Sequence, residues 1–223
     1  MIPLFDRAPQ WGFVVRDIEA AMQQWIETFE VMPFIFIPTN SGNRTFKYRG
    51  QDTKVRLSVA WSYYGDTQIE LIQQLNTEPS PYLEFLAQGR EGLHHMCFWS
   101  ERYDEAFAKL ERAGYSPVYR IGMGLARETV YFQDSGAFGA VIELSLLTPQ
   151  KKAFYSAMAS FVRNWDGKEA IKRVASLDDF AQEIGSPRLT DTDPDVSKTD
   201  IARVAGKAAT AEKSHQSFEG GCI

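Results

Sequence analysis

Two stretches of this chain repeat the same order of hydrophobic patterns. The first begins at Gln10 with Gln-Trp-Gly-Phe-Val-Val, an alternating run that is typical of a half-buried strand. Apolar residues then recur at helical spacing between Ile18 and Phe29, and Asp17 is placed to cap that helix. Further strand-like runs follow at residues 34–37, 45–49, 55–61 and 67–73. The pattern predicts one strand, one helix and then several antiparallel strands.

The second stretch begins with Gly92-Leu-His-His-Met-Cys-Phe-Trp99, which predicts another buried strand. It follows a proline-containing connector and leads into a helix predicted from Tyr103 to Leu110. Strand-like runs then come at residues 118–121, 128–132 and 140–145. Because the elements come in the same order, the sequence predicts an internal repeat, with module one at residues 8–76 and module two at residues 92–147.

The pattern changes after Pro149. One amphipathic helix is predicted from the spacing of Phe154, Met158, Phe161 and Val162, and a second from Ile171, Val174, Leu177, Phe180 and Ile184. We therefore expect a helical extension over residues 148–185. Residues 186–223 are polar and rich in small side chains, which predicts a flexible tail.

Composition and charge exclude some classes of protein. With 223 residues, of which 44% are hydrophobic, the chain can bury a substantial core. A net charge of -5 and a pI near 5.3 argue against a nucleic-acid partner, which would need clustered Lys and Arg. No apolar run is long enough to span a membrane, and the first residues lack a signal-peptide pattern, so we expect a cytoplasmic location. With only Cys97 and Cys222 present, a disulfide framework is not expected.

Four polar residues occupy strand positions with largely apolar neighbours. Superposing the two units places Gln10 against His95 in the first strands, and Glu70 against Glu143, each within an Ile-Glu-Leu segment, in the last. A buried carboxylate needs a partner, and one divalent metal ion would satisfy all four residues. These nitrogen and oxygen ligands suit zinc, nickel, manganese or cobalt.

Each of these residues also has an ordinary interpretation as part of the core. His95 alone would be read as a core histidine hydrogen-bonded to backbone, and Gln10 as a buried amide satisfied by strand neighbours. Strand alternation places His95, Cys97 and Trp99 on one face and His94 on the other, so His94 is interpreted as structural. Several aromatic residues could line a pocket for an apolar substrate, although such residues more often belong to the core: Trp11, Phe13, Trp61, Tyr63, Tyr64 and Trp99.

The paired units, the opening Gly-Phe-Val-Val-Arg-Asp-Ile-Glu-Ala-Ala, the Gly92-Leu-His-His-Met segment and the closing Val-Ile-Glu-Leu resemble the vicinal oxygen chelate superfamily. Its members include glyoxalase I, methylmalonyl-CoA epimerase and extradiol dioxygenases. The resemblance covers residues 8–147. It implies an α+β fold in which paired βαβββ modules form a cupped mixed sheet around one metal. The ligands it implies come from the first and last strands of each module: Gln10, Glu70, His95 and Glu143.

The similarity to individual branches of the superfamily is mixed. The Gly92-Leu-His-His-Met segment and the Leu-Asn-Thr-Glu-Pro connector resemble methylmalonyl-CoA epimerase, whereas the ligand set resembles the zinc-dependent glyoxalase I of animals. The epimerase has a second acidic residue where this chain has Lys54, Arg56 and Ser58. Glyoxalase I has an Arg where this chain has Val14. The resemblance therefore implies a shared mode of chemistry rather than either named reaction.

In that chemistry a metal binds a carbonyl or enolate oxygen while a nearby carboxylate, here Glu143, takes or returns a proton. We expect a metal-dependent isomerase, epimerase or lyase that acts on a small-molecule carbonyl substrate, such as a thioester or an apolar compound. The alternatives are a non-catalytic binding protein of the same fold and a ring-cleaving dioxygenase, which would need a second histidine ligand. Cupped sheets of this superfamily often pair, so a homodimer is expected.

Overall fold

The computed structural model describes residues 4–5, 9–40, 44–122, 127–133, 139 and 141–189. All of them belong to one compact unit, Met1–Asp191, whereas the second unit, Thr192–Ile223, lies outside the described residues. Most of the predicted flexible tail therefore stays a prediction. Within the described part of the chain, no helix is both long and apolar enough to cross a membrane.

The elements follow the predicted order. Module one contains β1 (Gln10–Val14), α1 (Ile18–Phe29), β2 (Phe34–Asn40), β3 (Thr45–Tyr48), β4 (Gln51–Thr53), β5 (Leu57–Tyr64) and β6 (Thr67–Gln74). The connector holds α2 (Pro81–Ala87). Module two contains β7 (Gly92–Ser100), α3 (Tyr103–Arg112), β8 (Ser116–Gly122), β9 (Thr129–Gln133) and β10 (Val141–Leu146). The C-terminal extension contains α4 (Pro149–Arg163), β11 (Ile171–Arg173) and α5 (Leu177–Glu183).

The strands form one mixed sheet in the order β11-β2-β5-β6-β1-β7-β10-β9-β8-β3-β4. Strands β1 and β7 pair antiparallel at its centre, β1 runs parallel to β6, and β7 runs parallel to β10. The first and last strands of both modules are therefore neighbours in the middle of the sheet. This confirms the α+β fold of paired βαβββ modules.

The sheet must be strongly curved because β2 and β3 are close in sequence but far apart in strand order. Eight strand spacings of about 4.8 Å would separate them by about 38 Å in a flat sheet. The five chain steps from Asn40 to Thr45 reach at most about 18 Å. The hairpin β3–β4, an addition to module one, pairs with β8 of module two, Phe46 opposite Ile121. The result is a cup.

The two faces of the sheet carry different layers. Helix α1 packs through Ile18 and Met22 on one face, and α3 packs through Ala106 and Leu110 on the same face of the other module. The cores beneath them include Ile69 and Leu71 in module one, and Ile142 and Leu144 in module two. Because strand side chains alternate, Glu70 and Glu143 point to the opposite, concave face.

Local capping sets where the helices begin. The Asp17 carboxylate accepts from the backbone N–H groups of Glu19 and Ala20 at 3.1 and 3.0 Å, which confirms the predicted cap of α1. The prediction of one helix from Ile171 to Ile184 was wrong at its start. Residues Ile171–Arg173 form β11, which pairs parallel with β2, and the helix begins only after Ser176, whose hydroxyl caps it. The apolar residues that matched a helical spacing belong to two elements, a strand and the helix that follows it.

Candidate metal centre

Three of the four predicted ligands converge on the concave face. Glu70 on β6, His95 on β7 and Glu143 on β10 each offer one ligand atom, and these atoms lie within 4.8 Å of one another. The Nε2 atom of His95 is 3.3 Å from Glu70 Oε2 and 3.1 Å from Glu143 Oε2. Their strands lie within four consecutive positions of the sheet, β6-β1-β7-β10, so strand pairing and the curvature of the sheet bring together residues that are far apart in sequence.

Gly12 makes room for the imidazole. It pairs with Glu70 on one side and with His95 on the other, so it lies between the two in the sheet. A Cβ atom built on Gly12 would overlap the ring atoms of His95. The ring thus lies directly across the backbone of β1, a close approach that only glycine permits. An isolated glycine within an apolar strand run is the sequence signal for such an approach.

The prediction that His94 faces away from His95 was wrong. Gly12 pairs with His95 and Phe13 with Leu93, which leaves His94 as the extra residue of a β-bulge. Both imidazoles pack against Tyr131, with ring centroids 6.1 Å away for His94 and 4.8 Å for His95. The bulge interrupts the alternation on which the prediction depended.

His94 fixes the orientation of the His95 ring. Burial, and then the charge of His95, lowers the pKa of His94 well below its usual range, so His94 is neutral. The Pro81 backbone opposes this lowering of the pKa, and His94 Nδ1 lies 3.1 Å from His95 Nδ1. We assign the donor at that contact to His95, which leaves its Nε2 directed at the two carboxylates.

The electrostatics of the group depend on burial. His95 is fully buried, and burial alone would lower its pKa, but the carboxylates of Glu143 and Glu70 raise the pKa to about 9. Burial would raise the pKa of Glu143, yet the charge of His95 keeps it below its ordinary value. These values describe the residues without a cation.

The donor set fits a metal. His95 Nε2 is buried and has no partner in hydrogen-bond geometry among the described residues, although two carboxylate oxygens are close to it. Ligand atoms about 2.1 Å from a zinc-sized ion lie about 3.0–3.5 Å from one another. The observed separations of 3.1 and 3.3 Å fall in that range.

The two carboxylates have different partners. Glu70 accepts a hydrogen bond from the indole Nε1 of Trp61 at 2.9 Å, across the β5–β6 pair. The pKa of Glu143 is lowered by His95, then by the charge of Lys151 and by the thiol of the fully buried Cys97. A thiol is a weak donor. Glu70 is therefore held by the stronger donor, and Glu143 by the weaker one.

Gln10 lies in the wall of the same cavity as Glu70 and Glu143. Its amide nitrogen donates to Gln68 Oε1 at 2.8 Å, so this buried amide has a strand-neighbour partner. Its role as a ligand stays a prediction.

The carboxylates line a partly open cavity of about 80 Å³. The C-terminal extension covers it through Lys151 and Tyr155 on α4 and Leu177 on α5. Of the aromatic residues that could line a pocket, Trp61 and Trp99 do so here, whereas Trp11 and Tyr64 are exposed. Sequence reasoning missed Lys151, although it shares the apolar helical spacing of Phe154 and Met158.

The chain is similar to a known protein family and to several solved structures. A family model described as the Glyoxalase/Bleomycin resistance protein/Dioxygenase superfamily matches residues 9–132. A search of curated proteins gives no match. Among solved structures, methylmalonyl-CoA epimerase from Mycobacterium tuberculosis is 18% identical, with 69% of this chain and 95% of that chain covered and a TM-score of 0.46. The Streptomyces coelicolor methylmalonyl-CoA epimerase in complex with 2-nitronate-propionyl-CoA is 17% identical, with coverages of 64% and 97% and a TM-score of 0.43.

A fosfomycin resistance protein from Mesorhizobium loti is 14% identical, with coverages of 64% and 93% and a TM-score of 0.21. The family match takes in more than half of the chain, including Glu70 and His95. This chain belongs to the glyoxalase/bleomycin resistance protein/dioxygenase superfamily.

Proposed function

We propose that this protein is a metal-dependent enzyme that catalyses isomerisation, epimerisation or lyase chemistry by moving a proton next to a substrate carbonyl. Glu70, His95 and Glu143 hold one divalent cation, with Gln10 as the fourth ligand. The observation that carries the proposal is the convergence of a buried imidazole nitrogen, the buried Glu143 carboxylate and the partly buried Glu70 carboxylate within 4.8 Å. Two carboxylates and a neutral imidazole would together offer a divalent cation two negative charges and one nitrogen donor.

A divalent cation bound there would stabilise negative charge developing on the carbonyl oxygen of a substrate. Glu143 serves as the base. Its pKa is below the ordinary value, so it is ionised at neutral pH and can accept a proton. Glu70, held by the indole of Trp61, keeps its position while Glu143 exchanges the proton. His95 orients the group from beneath, with Gly12 giving it space.

A dioxygenase is less well supported by the same geometry. Iron oxygenases of this kind use two histidines and one carboxylate. Here the described residues bring together one histidine and two carboxylates, and the second histidine, His94, directs its Nδ1 at His95 rather than at the carboxylates. The non-catalytic binding protein of the same fold remains the second candidate, and the test of chemistry separates the two.

The chemistry is tested by solvent exchange. Metal-loaded protein in D₂O is incubated with small ketones and 2-oxo acids, such as hydroxyacetone and pyruvate, and loss of the C–H signal next to the carbonyl is followed by NMR. We expect exchange that depends on the protein, stops when a chelator removes the metal and returns when the metal is restored. Stoichiometric metal without exchange in any compound would favour the binding protein.

Metal binding itself should release a proton. The pKa of His95 is about 9 in the folded metal-free chain, compared with 6.5 for an unperturbed histidine, so the ring is protonated at pH 7.5. The ring must release that proton before it can bind a cation. Calorimetric titration with Zn²⁺ at pH 7.5, in buffers of different ionisation enthalpy, should show one ion bound and about one proton released. The affinity should rise with pH until about pH 9.

The stability of the metal-free protein provides the matching control. Because folding raises the pKa of His95, the stabilisation from its protonated form is fully present below about pH 6.5 and is lost as the pH rises through about 9. The His95→Gln variant should lack both this pH dependence and the released proton. Zinc binding by the wild-type chain without proton release would contradict the assignment.

A further inference from the structure

Lys151 is a buried cation in the wall of the candidate active-site cavity. Lys151 lies in the first turn of α4 and is only 9% exposed to solvent. Its Nζ donates a hydrogen bond to Ser145 Oγ at 2.5 Å. The ammonium also lies 5.4 Å from the ring centroid of Trp99 and 5.8 Å from that of Tyr155. The groups in contact with the ammonium are therefore neutral.

No described carboxylate oxygen lies within 4.0 Å of Lys151 Nζ, the distance limit for an ion pair. Buried charges normally have such a partner, since an uncompensated charge is expensive to remove from water. Burial lowers the pKa of Lys151, and the more distant charges of Glu143 and Glu70 oppose this effect. Serine supplies one acceptor for an ammonium that can donate three hydrogen bonds.

Once a divalent cation is bound, the charges of the cavity do not balance without an anionic ligand. In the proposed function, a divalent cation neutralises Glu70 and Glu143 while His95 is neutral. The ammonium of Lys151 then remains as one buried positive charge. The positive end of the α4 dipole adds to it, because Thr148 and Lys151 of that helix start line the cavity. Arg44 also lines the cavity but is partly exposed, so solvent screens its charge.

Size narrows the class of ligand. A buried water needs at least about 10–15 Å³ of cavity volume. The cavity of 80 Å³ therefore has room for about five to eight water-sized groups. In one ligand, a carbonyl that contacts the site formed by Glu70, His95 and Glu143 and an anionic group that contacts Lys151 must be separated by only a few atoms.

Resting on the proposed function, we propose that Lys151 binds the anionic group of the substrate, and that the substrate is a small monoanionic carbonyl compound of the 2-oxo acid type. The C-terminal extension then does more than close the cup. It supplies the residue that selects the charge of the ligand, from a part of the chain outside the family match at residues 9–132.

Oxamate and oxamide test this selection, because they have the same number of heavy atoms and similar shapes but differ by one negative charge. Binding to the full-length, Mn²⁺-loaded protein is measured by calorimetry for the wild type, Lys151→Met and the control Lys152→Met. Lys152 is the exposed neighbour of Lys151. We expect Lys151→Met to bind oxamate about 10- to 100-fold more weakly, the usual range for a lost charged hydrogen bond, and oxamide within about threefold of wild type. Lys152→Met should resemble wild type for both.

Mn²⁺ content is measured on each sample, which separates the two hypotheses. A wild-type protein that does not bind stoichiometric Mn²⁺ would count against the proposed function. The preference for oxamate over oxamide tests whether Lys151 binds the anionic group. Removing a buried charge without a carboxylate partner should leave the melting temperature of Lys151→Met equal or higher. Lys151→Gln is a second variant should the methionine fail to pack. Equal binding of oxamate and oxamide by wild type, or unchanged oxamate binding by either folded variant, would overturn the proposal.

Discussion

Replacing Glu143 with glutamine should lower metal-dependent deuterium exchange by about 10²- to 10⁴-fold, the range that a positioned general base contributes. Glutamine has nearly the same shape but cannot take a proton. The buried Glu143 is the carboxylate whose pKa is held below its ordinary value, so the wild-type side chain is ionised when a substrate enters. The rate is measured by NMR in D₂O at saturating metal.

Glu70→Gln is the matched control for that experiment. Both substitutions remove one negative ligand, so both should weaken metal binding. Glu70 accepts from Trp61 and has no part in the proton transfer, so at saturating metal its variant should retain much more of the exchange rate. Wild-type exchange in Glu143→Gln at full metal occupancy would show that another group is the base.

The fold could be predicted largely because its signals are local. Alternating and helical periodicities identify β1, α1 and β7, and the repeated Ile-Glu-Leu segments pair Glu70 with Glu143. Once the modules are placed side by side, the centre of the sheet follows from their symmetry.

Other features depend on contacts that no local pattern encodes. The hairpin β3–β4 crosses to the strand β8 of the other module, a pairing between distant segments. The bulge at His94 breaks the alternation of β7, so periodicity assigned that ring to the wrong face. The contribution of Lys151 depends on how α4 folds back over the cup, which composition and spacing do not specify.

A glycine-to-alanine substitution at Gly12 should disable the metal site through one added carbon atom. The Cβ would overlap the imidazole of His95, so either the ring or the β1 backbone must move. Gly12 has no positive φ, so its backbone would otherwise accept alanine. We expect the free energy of unfolding to fall by about 1–3 kcal/mol, as for other overpacked cores. The affinity for Zn²⁺ should fall by about 10- to 100-fold, as when a group that orients a ligand is lost.

A double-mutant cycle isolates this contact. In a His95→Ala background the ring is gone, so Gly12→Ala should cost little stability, and the coupling energy between the two sites should be about 1–3 kcal/mol by urea denaturation. Additive costs would mean that alanine at position 12 acts through the strand itself rather than through the ring. Wild-type Zn²⁺ affinity in Gly12→Ala would contradict the inference that the imidazole lying across β1 holds the cation. The glycine matters because the ring whose Nε2 lies 3.3 and 3.1 Å from the two carboxylates rests directly on the backbone of the neighbouring strand.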